Sequence, residues 1–282
     1  MAALRAFGYA AATIGIVFCV QAGCSQADVV KAEKPLRWIL NGPALANFIS
    51  DPVSRRFFEN AHPFVLERKT SQLELPSSWG ALPIRSYTSY RAIEKAFARG
   101  TIGPDVRGIL YDNEVWKFTP QDEQSQVIDY TRKAAELVHA HGLTFLTAPA
   151  VNLVRVLSPA STDKRYDTFL QLKLAGDSAR YADVLVIQAQ GSESDVTKFR
   201  SFVKAASVQA KSANGKVLVL AGISTNPSGQ NVSADVVLSA IRATRAAVDG
   251  YWFNVPAPSP YCPRCTEFRP DMAIDVLRRL EK

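Results

Sequence analysis

"GILYDNEVW", residues 108–116, holds the pattern on which the fold turns: an unbroken apolar run that ends in Asp112-Asn113-Glu114. A short continuous apolar run of this kind fits a strand buried on both faces, as in a parallel sheet covered by helices. Short β-like runs, several of them nearly continuous in apolar residues, lie at Trp38–Asn41, Phe64–Glu67, Pro83–Tyr87, Thr144–Thr147, Val184–Gln188, Val217–Ala221 and Tyr251–Asn254, which with Gly108–Tyr111 makes eight. Helical patterns separate them. Thr119 stands as a cap with Pro120 at the first helical position and Asp122 three residues on, and this helix runs to Gly142. Asp195–Ala213 and Ser233–Ala247 repeat apolar residues at helical spacing, and Asp271–Leu280 closes the chain. Strand-to-strand distances of about 20 to about 40 residues fit βα units. The pattern predicts an α/β fold, a single (β/α)₈ TIM barrel over 28–282, irregular in its first third because "KTSQLELPSSWG" (69–80) is a poor helix. A doubly wound open sheet is the alternative, but no glycine-rich phosphate loop follows the first strand. No repeat or linker marks a second domain.

Composition supports a chain with a sizeable core: 47% of its 282 residues are apolar and 21% charged. The net charge of +7 has no basic run behind it. With no stripe of interleaved aromatic and basic residues, nucleic acid is not an expected partner, whereas anionic polymers of a cell envelope are compatible. Residues 1–27 read as a signal peptide: Arg5, the apolar stretch "AFGYAAATIGIVFCV" (6–20) and a small-residue end. "SQA", ending at Ala27, suits signal peptidase. "VQAGC" (20–24) resembles a lipoprotein leader with Cys24 as the lipidated residue, although Gln21 stands where Leu or Val is usual. Either route exports the protein as a secreted or cell-envelope chain, whose membrane contact would be a lipid anchor at Cys24. With Cys19 and Cys24 in the leader, Cys262 and Cys265 remain, and in an oxidising compartment they are expected to form a short disulfide. A redox pair would normally open a helix after an early strand, and zinc would need two further ligands.

In such barrels the active site lies at the C-terminal ends of the strands. Those ends offer Asn41, Glu67, Tyr87, Asp112 with Glu114, Thr147, Gln188 with Gln190, Ser224 to Asn226, and Trp252 with Asn254. His62, His139 and His141 all precede strands, so neither a His-based zinc site nor a Ser-His-Asp triad assembles. Amides, aromatics and two carboxylates suit a sugar. Asp112 and Glu114 are the catalytic candidates. Tyr87, Asn41, Trp116, Gln188, Gln190, Asn226, Trp252 and Asn254 are the substrate-binding ones. Each has a plainer reading. The two acids can pair with Arg85 or Lys117, Trp116 and Trp252 can be packing, Tyr87 can fill the barrel rim, and the buried amides can be satisfied structurally. Asn231-Val232-Ser233 matches a glycosylation acceptor but reads as a helix start.

One class of barrel glycosidases carries Asn-Glu after strand four and a nucleophilic Glu on strand seven; Asn113-Glu114 fits the first half, but "KVLVLAGISTN" (216–226) has no carboxylate. "GILYDNE" resembles instead the strand-four signature of glycoside hydrolase family 18, the chitinase-like enzymes, written D-G-x-D-x-D-x-E. Gly108, Asp112 and Glu114 match it in register, while Arg107 and Leu110 replace its two earlier aspartates. "GYWFN" (250–254) is similar to that family's last strand. The resemblance implies substrate-assisted hydrolysis. Glu114 would protonate the leaving oxygen, Asp112 would orient the substrate's N-acetyl group, Trp252 would floor the sugar subsite, and Gln188 would add a polar contact. No metal or cofactor is implied. The expectation is therefore a monomeric exported glycosidase acting on a polysaccharide or glycoconjugate. Two alternatives stay open: a non-catalytic carbohydrate-binding barrel, and a divalent-metal enzyme with Asp112 and Glu114 as oxygen ligands.

Overall fold

The computed structural model describes residues 35–66, 73–260 and 262–281. The leader with Cys19 and Cys24, and Glu67, lie outside the described residues. The strands are β1 (Arg37–Asn41), β2 (Phe64–Leu66), β3 (Leu82–Tyr87), β4 (Gly108–Tyr111), β5 (Thr144–Thr147), β6 (Val184–Ile187), β7 (Leu218–Ser224) and β8 (Gly250–Asn254). They form a closed, all-parallel barrel in sequence order, sealed where β1 pairs with β8 at Arg37↔Gly250 through Leu40↔Phe253. The expected (β/α)₈ architecture is the observed one.

Closure explains the apolar runs. Alternate residues of each strand point inward, and the rest face the helices. Ile39, Phe64, Ile84, Leu110, Leu146, Val186, Leu220 and Trp252 fill the barrel interior. Leu40, Val65, Ile109, Tyr111, Phe145, Leu185, Val219 and Phe253 form the core between barrel and helices. Both sets are buried, so neither leaves a polar alternation in the sequence.

The helices confirm the spacing argument and shift its boundaries. Val196–Ala213 buries Phe199, Phe202, Val203, Ala206 and Ala210 on one face, and Asp195 caps it by accepting from the Lys198 N–H at 3.1 Å. Val127–Ala140 buries Val127, Thr131, Ala134, Ala135 and Val138, and Gly142 follows its end at φ +69°. The expected Thr119 cap is a correction. Its Oγ1 donates to the Thr88 carbonyl at 2.6 Å and accepts from Trp116 Nε1 at 2.8 Å, so the helix starts at Gln121. That helix also breaks at Gln126 (φ −116°, ψ 46°) into Gln121–Ser125 and Val127–Ala140. Ser233 precedes a helix, Ala234–Thr244, without donating or accepting a side-chain cap bond. The last helix is Pro270–Leu280. In the first third, the described part of the β2–β3 connection holds a single 3₁₀ turn, Ser77–Trp79, as its poor helix pattern suggested.

No helix among the described residues is long and apolar enough to cross a membrane.

Candidate functional site

Beyond β4 the inside–outside alternation continues into the acidic triplet. Asp112 follows Leu110 on the inner face, held by its N–H bond to the Tyr87 carbonyl at 2.9 Å. Asn113 turns the other way. Its Nδ2 donates to Tyr111 Oη at 2.9 Å and to the Glu123 carbonyl at 3.0 Å. Tyr111 Oη in turn donates to Glu123 Oε2 at 2.9 Å, and that carboxyl accepts the Tyr90 and Arg91 N–H groups at 2.6 and 3.2 Å. An acid set against the first turn of Tyr90–Ala98 satisfies amides that have no helical partner. Asn113 therefore organises the outer layer, which removes the first half of the Asn-Glu motif as well.

Asp112 and Glu114 converge with two amides from neighbouring strands. Gln188, just past β6, donates through Nε2 to Asp112 Oδ1 at 2.7 Å and to the Ala148 carbonyl at 2.8 Å. Asn152, in the 3₁₀ turn after β5, donates to Glu114 Oε2 at 3.4 Å while its Oδ1 accepts the Val115 N–H at 3.0 Å. Burial pushes the Asp112 carboxyl well above the usual range, the neighbouring Glu114 charge adds to this, and the Gln188 hydrogen bond pulls partly back. Burial likewise raises Glu114, against hydrogen bonds from Asn152 and Gln188. Both shifts run toward the protonated acid, the direction a general acid requires. Among the described residues, no group of three or more His, Cys, Asp and Glu side chains could hold a metal ion.

The other sequence candidates divide. Trp252 is 8% exposed, a member of the inner barrel cluster, and its buried Nε1 has no hydrogen-bond partner. It therefore closes the barrel below the mouth rather than lying open to it. Gln190 joins it at the top: a Cβ at Gly222, the β7 residue paired with Trp252, would stand 2.5 Å from the Gln190 amide. Asn41 donates to Asn254 Oδ1 and to the Val255 carbonyl, both at 3.1 Å, and accepts the Val255 N–H at 3.2 Å. This pair clasps the β1–β8 seam, so both amides are largely spent on structure.

Three candidates lie elsewhere, as corrections. Tyr87 sits in register with Tyr111 and packs against the outer core, because β3 turns Ile84 and Ser86 inward and its odd positions outward. Trp116 bonds Thr119 within its own loop and meets Phe118 edge-on at 5.3 Å; Gln124 ties that loop down from the following helix. Asn226 is buried, accepts from Thr225 Oγ1 at 2.6 Å and donates to Asn231 Oδ1, and so orders the loop after β7. The three histidines lie before β2 and β5; His139 Nε2 meets Asp183 Oδ2 at 2.9 Å and His141 stacks on Phe97 at 3.9 Å between ring centres.

Cys262 and Cys265 form the expected disulfide, with Cα atoms 5.4 Å apart. Nearby, Asn231 Nδ2 reaches Glu267 Oε2 at 2.9 Å, and Arg269 donates to the Val232 carbonyl at 2.6 Å, so the segment after β8 is stitched to the loop after β7.

Reading only strand ends missed Asn152 and Glu193. Asn152 lies five residues past β5, and its signal is a polar residue inside the apolar "APAVNLV" (148–154). Glu193 gives no sequence signal. It is fully buried, one oxygen accepts the Ser224 N–H at 2.8 Å, the other has no partner, and burial lifts its pKa from 4.5 to about 8. The folded state thus holds this proton more tightly than the unfolded chain. Its contribution is complete below pH 4.5, falls as pH rises toward about 8 and is flat above. Glu193→Gln, which mimics the protonated acid, is expected to match wild-type stability near pH 4.5 and exceed it by a few kcal/mol near pH 8. Urea unfolding of both proteins across that range checks this, and parallel pH curves would refute it.

No protein-family model matches the chain, and a search of the curated proteins finds no match. Several solved structures are similar in fold. Pyruvate carboxylase from Rhizobium etli is 10% identical with a TM-score of 0.48 over 89% of this chain, which spans 27% of that protein. Triosephosphate isomerase from Bartonella henselae is 11% identical with a TM-score of 0.45, over 87% of this chain and 99% of that one. A glycoside hydrolase family 17 beta-1,3-glucanosyltransferase from Rhizomucor miehei is 14% identical with a TM-score of 0.45, over 79% of this chain and 88% of that one. A glycosidase thus stands among the similar structures beside an isomerase and a carboxylase, and what the chain shares with all of them is the TIM barrel alone.

Proposed function

We propose that this chain is an exported glycoside hydrolase whose general acid is Glu114. The observation that supports it is the inward-facing pair Asp112 and Glu114 at the C-terminal mouth of the barrel, bound by Gln188 and Asn152 and held toward the protonated state by burial. Glu114 is the more exposed of the two acids and is placed to protonate a leaving glycosidic oxygen. β7 presents Gly222 and Ser224 at the mouth and no acid, so the chain's own strand-seven residues supply no nucleophile. An N-acetyl group on the substrate, attacking its own anomeric carbon, fills that role in the family 18 pattern. With the proton on Glu114, Asp112 acts as the ionised partner: anchored by Gln188, it accepts the amide N–H and stabilises the positive charge that develops there. The reading extends to a monomeric protein acting on a polysaccharide or glycoconjugate outside the cytoplasm.

Turnover of aryl N-acetylhexosaminides and of chitin-type and peptidoglycan-type oligosaccharides tests this directly. Asp112→Asn is expected to lower kcat by about two orders of magnitude or more, the scale of losing a transition-state electrostatic group. A loss below tenfold would remove Asp112 from the mechanism.

A second reading, a carbohydrate-binding barrel without turnover, has one observation in its favour. The mouth is narrow: Asp112 and Trp252 are each 8% exposed and Asn41 is clasped to Asn254. Saturable glycan binding with no product, unchanged in Asp112→Asn, would select it.

A further inference from the structure

A second feature lies at the same end of the barrel. The turn that carries Asn152 to Glu114 runs directly into Val154–Leu157, and Arg155 on that segment lines a cavity of about 490 Å³. Lys164, Arg165 and Tyr166 from the next segments, and Lys198 from the first turn of Val196–Ala213, line it too. The far wall meets the loop after β6, because a Cβ at Gly191 would stand 3.0 Å from Tyr166 Oη and 3.3 Å from an Arg165 guanidinium nitrogen. The cavity therefore lies between the β5–β6 connection, which also supplies Asn152, and the helix Val196–Ala213, with its Arg165–Tyr166 wall against the loop that follows Gln188.

Its charge is unbalanced. Arg155, Lys164, Arg165 and Lys198 face two acids, Asp163 and Asp167, and none of the four cations forms an ion pair among the described residues. Two of them are instead fixed over one ring: Lys198 Nζ and the Arg165 guanidinium lie 5.0 and 5.2 Å from the centre of Tyr166. Tyr166 is held by Phe202 at 4.8 Å and is buried, so it serves as a seat for cations, not as a sugar platform. Cation–π contacts align a positive charge without cancelling it. A concave site with an excess of one charge on its walls focuses its field on whatever enters, and this volume falls within the range of small-ligand sites.

We propose that this cavity is a subsite for an anionic group, carboxylate or sulfate, on the saccharide held at the Asp112–Glu114 mouth. The proposal rests on the hydrolase reading for the saccharide and on the cavity alone for the charge. It assigns the substrate class as an acidic glycan.

Calorimetric binding, with wild type and with Glu114→Gln to prevent turnover, tests it. The probes are an oligouronate, a sulfated oligosaccharide, a neutral oligosaccharide of equal length, and inorganic phosphate. One or both acidic glycans should bind at least tenfold tighter than the neutral one, less so at high salt. Arg155→Gln with Lys164→Gln, both exposed, should weaken that binding about five- to tenfold. Lys216→Gln with Arg242→Gln, an equal charge change at exposed positions outside the cavity lining, should leave it unchanged. Preference for uronate or for sulfate identifies the group. Equal binding of acidic and neutral glycans, equal loss in both double variants, or phosphate binding as tightly as the glycan would overturn the proposal. Cavity-dependent binding of an acidic glycan that wild type never cleaves would overturn the hydrolase reading and leave this one standing. Cleavage of neutral glycans without preference for acidic ones would do the reverse.

Discussion

Glu114→Gln is expected to lower kcat by about two to four orders of magnitude, the range associated with losing a general acid, while glycan affinity stays within a few fold of wild type. The substitution preserves shape, and a glutamine oxygen can still accept from Asn152 Nδ2, which lies 3.4 Å from Glu114 Oε2. What disappears is the transferable proton. The same argument fixes the pH profile. Burial raises Glu114 above its ordinary 4.5, so the acid stays protonated over a wider range and the rate should fall only as pH rises past that elevated value. In the Gln variant the residual rate should lose that alkaline limb. Steady-state kinetics from pH 4 to about 9 decide the matter through these limbs. A variant with kcat within tenfold of wild type, or with an unchanged limb, would take Glu114 out of the chemistry.

Gly250→Ala should be the most damaging small substitution in the fold. Gly250 begins β8, in register with Arg37 at the seam that closes the barrel. A Cβ there would overlap the Arg37 carbonyl oxygen and lie 2.6 Å from its carbonyl carbon. These are backbone atoms locked in the β1–β8 ladder, so no rotamer change relieves the clash. Overpacking in well-packed interiors costs about 1–3 kcal/mol and more where the neighbours cannot move, so a loss of about 3 kcal/mol or more is expected. The opposing gain from a stiffer unfolded chain is about 0.4–1 kcal/mol and does not offset it. Gly215→Ala is the control, because nothing lies within 4 Å of a Cβ at that turn. Thermal and urea unfolding of the two variants should separate them clearly; a Gly250→Ala protein within about 1 kcal/mol of Gly215→Ala would mean that the seam yields.

The barrel was legible because burial on both faces writes the same mark in most strands, though not in β3, which reads LPIRSY with Ser86 exposed. Ile109, Leu110 and Tyr111 are all fully buried though they point in different directions, so the run is apolar throughout. That same mark hides direction. Tyr87 and Asp112 both stand at the ends of β-like runs, and only the register shows one facing the helices and the other the axis. Asn41 and Asn254 stand where a sugar contact would, but they are 213 positions apart in sequence and bond each other. Thr119 carried a capping pattern, yet a tertiary partner, the Thr88 carbonyl, took its hydroxyl. The basic cavity was illegible for a related reason. Its cations are spread from Arg155 to Lys198 and gather only when the β5–β6 connection packs against the helix Val196–Ala213.

The Cys262–Cys265 bridge joins residues three apart, beside the strap that stitches the last strand's exit to the β7 loop. So small a ring removes little freedom from the denatured chain, about 2 kcal/mol by loop-closure reasoning, far less than a long-range crosslink gives. Thiol reductants should therefore leave the eight-stranded wall standing and relax one sector of its crown. The bond acts as a local splint of the rim.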